Sequence, residues 1–163
     1  MKRILILTFL SVLTYTYSFS QDDNNVIKDD EMKIQFTVPD GWHATKKGDR
    51  YIMGSENTEG FMLIEVQNFK TLKKLTAAME SGIEQEDGSK MTPVSTLNKL
   101  GGQGVSGLFE GKIDETEMQG FLMALMPPSK RRAAICLTVA PKTSFNQSNM
   151  DQLKILLRSV IFL

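Results

Sequence analysis

Apolar and polar residues alternate with a period of two in the first part of the chain that shows regular patterning. Between residues 33 and 38 every second side chain is apolar, which predicts a strand with one buried face. The following Pro39-Asp40-Gly41 predicts a turn. Residues 50–55 and 61–67 predict two further strands, joined across a polar stretch rich in Glu, Asn and Gly. These segments predict an opening set of strands that pair with each other.

Two later segments change to helical spacing. The first helix is predicted over residues 71–85, with Thr71 as its N-cap and Gly88 beyond its end as the residue that stops it. Gly82 inside this segment lowers helix stability by about 1 kcal/mol relative to Ala. Its apolar face consists of Leu72, Leu75, Met79 and Ile83. The second helix lies near the end of the chain, with Asp151 early and Arg158 late, as the helix dipole prefers. Its apolar face consists of Leu153, Leu156, Leu157 and Val160.

Between the two helices the pattern returns to strands. Four strands are predicted, over residues 94–100, 104–110, 118–126 and 132–140. Residues 121–126 and 133–140 are apolar on both faces, so these strands need cover on both sides of the sheet. Strands, helix, strands and helix predict an α+β domain built on a central, largely antiparallel sheet with helices packed against it.

The first twenty residues have the pattern of a cleaved signal peptide. Lys2 and Arg3 precede an apolar run over 4–13, and the small residues Ser18 and Ser20 precede an expected cut at Gln21. The apolar run is shorter than the roughly 20 residues that a membrane-spanning helix needs. We therefore expect export to the periplasm or the exterior, with no integral membrane segment after cleavage.

Removal of the signal peptide changes the charge and defines the mature chain. The whole sequence has 19 basic and 19 acidic residues, so cleavage leaves a slight acidic excess. Residues 21–31 are acidic and polar and predict a flexible leader, which leaves residues 32–163 as one domain. The balanced charge argues against a nucleic-acid partner.

Three stretches of the sequence resemble a known family. Phe36-Thr37-Val38-Pro39-Asp40-Gly41-Trp42 resembles the F-x-V-P-x-G-W segment of the PsbP-like superfamily, and Leu100–Gly104 and Arg158–Phe162 are also similar to that pattern. The superfamily contains the extrinsic PsbP subunit of photosystem II, a Ran-binding factor and exported bacterial proteins such as DcrB. The resemblance covers about residues 31–163 and implies an antiparallel sheet with packed helices. It supplies no shared catalytic residues, and it makes Pro39, Gly41 and Trp42 structural positions.

Scarce reactive side chains exclude several kinds of site. The chain has a single His (His43) and a single Cys (Cys136), so motifs that require two of either are excluded. Cys136 lies in an apolar strand, which favours a buried structural thiol over a catalytic pair with His43. We therefore expect no catalytic residues, no cofactor and no metal site, and a protein that is not an enzyme.

Two further motifs are better explained by structure than by ligand binding. Residues 102–107 match G-x-G-x-x-G, but a strand follows them instead of a helix, which favours a tight turn over a nucleotide site. Met123 and Met126 are three residues apart, so on a strand they point to opposite faces. Together with Met118 they are expected to fill the core and not to bind copper.

Lys130-Arg131-Arg132 is the one basic cluster and lies at an expected hairpin turn. It is either a solvated turn or a patch for an anionic partner. We expect an exported, non-enzymatic binding or accessory module of the cell envelope that contacts an envelope protein. The alternatives are a carrier of a small apolar ligand and a hydrolase built from scattered carboxylates.

Overall fold

The computed structural model describes residues 6–7, 25–85 and 90–163. Most of the predicted signal peptide and residues 21–24 of the predicted leader therefore lie outside the described residues. The described strands are β1 (Ile6–Leu7), β2 (Val26–Asp29), β3 (Ile34–Thr37), β4 (His43–Lys47), β5 (Arg50–Gly54), β6 (Phe61–Asn68), β7 (Ile83–Gln85), β8 (Lys90–Pro93), β9 (Asn98–Leu100), β10 (Gly104–Ile113), β11 (Thr116–Leu125), β12 (Arg132–Pro141) and β13 (Ile161–Phe162). The helices are α1 (Leu72–Glu80) and α2 (Gln147–Arg158).

The strands form one large and one small sheet. The large sheet has the order β1-β7-β8-β10-β11-β12-β6-β5-β4, with β9 also paired to β10. Its pairs are antiparallel except for β1 and β7. The small sheet has the antiparallel order β13-β3-β2, so it joins the end of the chain to its early strands. The fold is α+β, with a central antiparallel sheet and helices packed on it, as the sequence pattern predicts.

Strand β12 lies in the middle of the large sheet and is buried on both faces. Ile135 and Leu137 point to one face, where they join a core that includes residues of α1. Cys136 points to the other face, where the core includes α2 and β3. We call these the α1 face and the α2 face of the large sheet. The expectation that this strand needs cover on both sides is confirmed.

Helix α1 begins where the sequence predicts and ends earlier. The Thr71 hydroxyl accepts a hydrogen bond from the Lys74 amide, as an N-cap does. The helix ends at Glu80, and Gly82 adopts φ +89° in the turn that leads into β7. The predicted extension of the helix to residue 85 is wrong: Ile83 is buried, but it belongs to strand β7 and not to the helix. Glycine ends this helix because it adopts the left-handed backbone without steric cost.

The predicted strand over residues 94–100 is interrupted. Strand β8 ends at Pro93, β9 starts at Asn98, and Val94 between them is 54% exposed. Leu97 is buried above Gly107 of β10, where any Cβ atom would overlap its side chain. Residues 94–97 thus leave the regular pairing with β10, and this irregular segment places the Leu97 side chain in the core.

The prediction of a flexible leader over residues 21–31 is wrong for residues 26–29. Residues 26–29 form β2, which pairs with β3, and Ile27 packs against the α2-face core. Asp29 is buried in this strand because its carboxylate accepts several hydrogen bonds, described below. Strand β4 was also not predicted, because an exposed edge strand does not require apolar alternation.

The turn before Trp42 has the predicted form. The Trp42 amide donates to the Pro39 carbonyl at 3.1 Å, and Gly41 adopts φ +76°. Trp42 is 5% exposed and lies in the α2-face core.

We expect Trp42→Ala to lower the free energy of unfolding by about 3–5 kcal/mol, because it leaves a large cavity. Urea denaturation monitored by circular dichroism measures this change. Val94→Ala is the control, since the Val94 side chain is exposed and its loss should change stability by less than about 0.5 kcal/mol. Equal urea midpoints for wild type and Trp42→Ala would contradict the buried position of the indole.

Candidate functional site

The outward face of the small sheet carries exposed apolar side chains. Val26 of β2 and Ile161 of β13 lie opposite Thr37 and Gln35 of β3, on the side away from the α2-face core. Val26 is 44%, Ile161 54% and Leu163 40% exposed. We call these three residues the outer face of the small sheet. They lie on the two edge strands of this sheet, with polar residues of β3 between them, and exposed apolar side chains that share a face can form a contact surface.

Basic residues border this outer face. The Leu163 amide donates to the Lys33 carbonyl, and the Lys130 ammonium donates to the Leu163 carbonyl at 3.2 Å. The Arg132 guanidinium donates to the Met32 carbonyl in the turn between β2 and β3. Arg131 between them is exposed. The predicted cluster Lys130-Arg131-Arg132 is therefore divided: two members hold the small sheet in place and one faces solvent.

A buried polar cluster fixes the small sheet to the β4–β5 hairpin. The Asp29 carboxylate accepts hydrogen bonds from the Tyr51 hydroxyl at 2.9 Å and from the Met32 amide at 2.7 Å, and it lies 2.8 Å from the Lys46 ammonium. Burial alone would raise the pKa of Asp29, but the hydrogen bonds from Lys46, Met32 and Tyr51 outweigh it and lower the pKa to about 2. Burial, with the Asp29 charge beside it, raises the pKa of Tyr51 to about 12. The cluster is fully hydrogen-bonded and therefore structural.

A second buried carboxyl lies on the α1 face. Glu65 of β6 is 2% exposed and stands between Arg50 of β5 and Ile135 of β12. Its Oε1 accepts a hydrogen bond from the Gln67 amide at 2.7 Å, and its Oε2 lies 3.9 Å from the Arg50 Nε. Burial raises the pKa of Glu65 to about 7, although the Arg50 charge opposes this rise.

The histidine and the cysteine are kept apart. Cys136 is fully buried on the α2 face, and burial raises the pKa of its thiol well above the usual range. His43 is exposed and lies on the opposite, α1 face of the sheet, paired with Gly54. The structure therefore does not bring the two together as a catalytic pair.

The glycine-rich motif and the methionines take structural positions. Gly101 and Gly102 form a turn with φ +54° and +74°, and Gly104 begins the ten-residue strand β10. A strand here confirms the interpretation of a tight turn instead of a nucleotide-binding loop. Met118 lies on the α1 face and Met123 on the α2 face, so they do not share one face.

A shallow cavity of about 270 Å³ lies at the β10–β11 hairpin. Its charged lining residues are Glu110, Lys112, Glu117 and Lys142. Lys112 faces Glu117 across the hairpin, and Lys142 pairs with Glu110 at 3.1 Å. The charges that line the cavity are therefore balanced.

Two general findings concern the described part of the chain. No group of three or more His, Cys, Asp or Glu residues there has a geometry that could hold a metal ion. Neither α1 nor α2 is long and apolar enough to cross a membrane.

The sequence alone did not point to Asp29 or to the pair Arg50 and Glu65. A signal for Glu65 exists, since it is the only charged residue within the apolar run of residues 61–66. Asp29 has no comparable signal, because it lies in an acidic stretch. Its burial depends on Tyr51 and Lys46, which are distant in sequence.

The fold has counterparts among solved structures. The chain matches a mutant of the protein Mog1 with a TM-score of 0.54 at 8% identity, over 85% of this chain and 95% of that one. It matches the Saccharomyces cerevisiae Ran-binding protein Mog1p with a TM-score of 0.51 at 10% identity, over the same shares. A protein from Bacteroides thetaiotaomicron gives a TM-score of 0.53 at 9% identity over 80% of this chain, which spans only 45% of that protein.

These similarities establish the α+β fold and no more, because the identities are low. No protein-family model matches the chain, and no curated protein sequence is significantly similar to it.

We expect Asp29→Asn to lower the free energy of unfolding at pH 7 by about 2 kcal/mol. Because the folded pKa of Asp29 lies below its ordinary value of 3.8, its contribution is present above pH 4 and is lost as the pH falls towards 2. Urea titrations at pH 7, 4 and 2.5 should show the difference from wild type shrinking. Asp30→Asn, at a 76% exposed side chain, should match wild type throughout. A full-sized difference at pH 2.5 would contradict this assignment.

We expect Glu65 to affect the pH dependence of stability in the opposite direction to Asp29. Its folded pKa of about 7 lies above the ordinary 4.5, so the folded state binds the extra proton and loses stability as the pH rises from 4.5 to 7. The loss reaches at most about 3 kcal/mol, and Glu65→Gln should remove it. Thermal unfolding at pH 5 and pH 8 measures the effect. The surface variant Glu110→Gln should retain the wild-type slope, and an unchanged slope in Glu65→Gln would refute the prediction.

Proposed function

We propose that this chain is an exported, non-enzymatic binding module that contacts another protein of the cell envelope through the outer face of the small sheet. The observation that carries the proposal is the exposure of Val26, Ile161 and Leu163 on one sheet face. Apolar side chains of this size contribute to association when a partner removes them from water.

The surroundings of these residues support a specific contact. Leu163 is hydrogen-bonded to the Lys33 carbonyl and to the Lys130 ammonium, so both residues bring positive charge close to the apolar surface. Charged borders of this kind set orientation and association rate more than affinity. The outward side chains of the central strand β3, Gln35 and Thr37, are polar, so the surface combines apolar contacts on β2 and β13 with hydrogen-bonding groups between them.

The sheet that presents the surface is held rigidly. The Thr37 amide donates to the Ser159 hydroxyl at 2.9 Å, and Asp29 fixes β2 from below. A preformed surface binds with a smaller entropic cost than a mobile one. Among the compared structures, Mog1p is described as Ran-binding, which is in keeping with a binding role for this fold.

Export and membership of the PsbP-like superfamily remain parts of this proposal. They depend on the signal-peptide pattern of residues 1–20 and on the segment that ends at Trp42. The carrier and the hydrolase remain alternatives that no particular observation favours. A carrier would require an enclosed apolar cavity, whereas the shallow cavity at the β10–β11 hairpin is lined mainly by charged side chains.

We expect Ile161→Asp to abolish cross-linking of the protein to its envelope partner while leaving the fold intact. Cross-linking in intact cells of the source organism, followed by fractionation and mass spectrometry, identifies the partner. The matched control is Val94→Asp, since Val94 and Ile161 are both apolar and both 54% exposed. Urea midpoints of both variants should lie close to wild type.

Two outcomes would contradict the proposal. One is the absence of any specific cross-linked envelope protein in the wild type. The other is a cross-link that Ile161→Asp retains, or loses no more than the Val94→Asp control does, because the contact would then not depend on the outer face of the small sheet.

A further inference from the structure

The side chain of Arg50 is largely buried, and its guanidinium donates no hydrogen bond within the described part of the chain. The side chain is 15% exposed. Its Nε lies 3.8 Å from the Asp49 carboxylate and 3.9 Å from the Glu65 carboxylate, both beyond hydrogen-bond length. A guanidinium carries five N–H donors, and no nitrogen of Arg50 is both fully buried and unpaired, so its free donors reach the surface. Arg50 therefore has donors to offer to an acceptor from outside.

The neighbouring carboxyl does not saturate this charge. Glu65 is bonded through one oxygen to Gln67, and only its second oxygen faces Arg50. The charged groups that face Glu65 are Arg50 and, farther out, Asp49, since β12 contributes the apolar Ile135 opposite it. With a pKa of about 7, Glu65 is about half protonated at neutral pH, and its protonated form leaves Arg50 without a buried counter-charge.

A second cation lies beside Arg50 on the same face. Lys47 of β4 is directly opposite Arg50 in the antiparallel ladder, and its side chain is exposed. Asp49 in the turn between them is 82% exposed, so solvent screens its charge. Arginine binds planar carboxylates through two parallel N–H donors, and a nearby ammonium strengthens such a contact.

We propose that Arg50 and Lys47 bind a carboxylate group and that the proton on Glu65 controls this binding. When Glu65 is ionised, its carboxylate competes with the incoming carboxylate for the Arg50 guanidinium. When Glu65 is protonated, the guanidinium is available. The site lies on the α1 face and is separate from the outer face of the small sheet, so it goes beyond the binding function proposed above.

The test is an NMR titration of the full chain, labelled with ¹⁵N-arginine, that follows the Arg50 Nε–Hε signal. The probes are sodium acetate and a penta-glutamate peptide at equal carboxylate concentration, with sodium chloride at matched ionic strength as reference. If the protonated form of Glu65 alone is competent, the apparent affinity falls about tenfold from pH 6 to pH 8. In Glu65→Gln we expect the pH 6 affinity at both values.

Each outcome decides the proposal. A shift with acetate and with the peptide supports a site open to small carboxylates, and a shift with the peptide alone supports a carboxylate carried by an acidic peptide. Glu110→Gln should retain the tenfold pH effect, because Glu110 lies in a surface ion pair. The proposal is overturned if neither probe moves the Arg50 signal more than chloride does. It is also overturned if the pH effect persists in Glu65→Gln.

Discussion

Burial of β12 on both faces is the constraint from which the rest of the structure follows. Residues 133–140 are eight consecutive buried positions, so neither side of this strand can be left to solvent. Its neighbours β11 and β6 satisfy its main-chain groups, and each face then requires its own apolar cover. Helix α1 contributes to the cover of one face, and helix α2 with the small sheet covers the other.

The small sheet and helix α2 together cover the α2 face. Ile34 and Phe36 of β3 are fully buried against it, and Phe36 packs edge-to-face on Tyr51 with ring centroids 5.2 Å apart. Its other face is exposed and is the surface that we propose as the contact site. The same burial that holds β3 in place thus leaves apolar residues of β2 and β13 on the outside.

The two buried carboxyl groups show how differently the same kind of side chain behaves in this fold. Asp29 receives three kinds of donor, so its charged form is stabilised despite burial. Glu65 receives one amide donor and a distant guanidinium, so burial dominates. This difference makes Asp29 a structural anchor and leaves Glu65 with a proton that it can exchange near neutral pH.

Local sequence determined the elements whose pattern depends on near neighbours. The alternation of residues 33–38, the doubly apolar residues 133–140, the N-cap Thr71 and the turn before Trp42 all appear where the pattern predicts them. The tertiary structure decided what depends on contacts between distant segments. Strand β2 forms only because β3 pairs with it and because Tyr51 and Lys46 satisfy Asp29. Burial and hydrogen bonding of a side chain are set by the groups around it in space, and these come from strands that a single window of sequence does not contain.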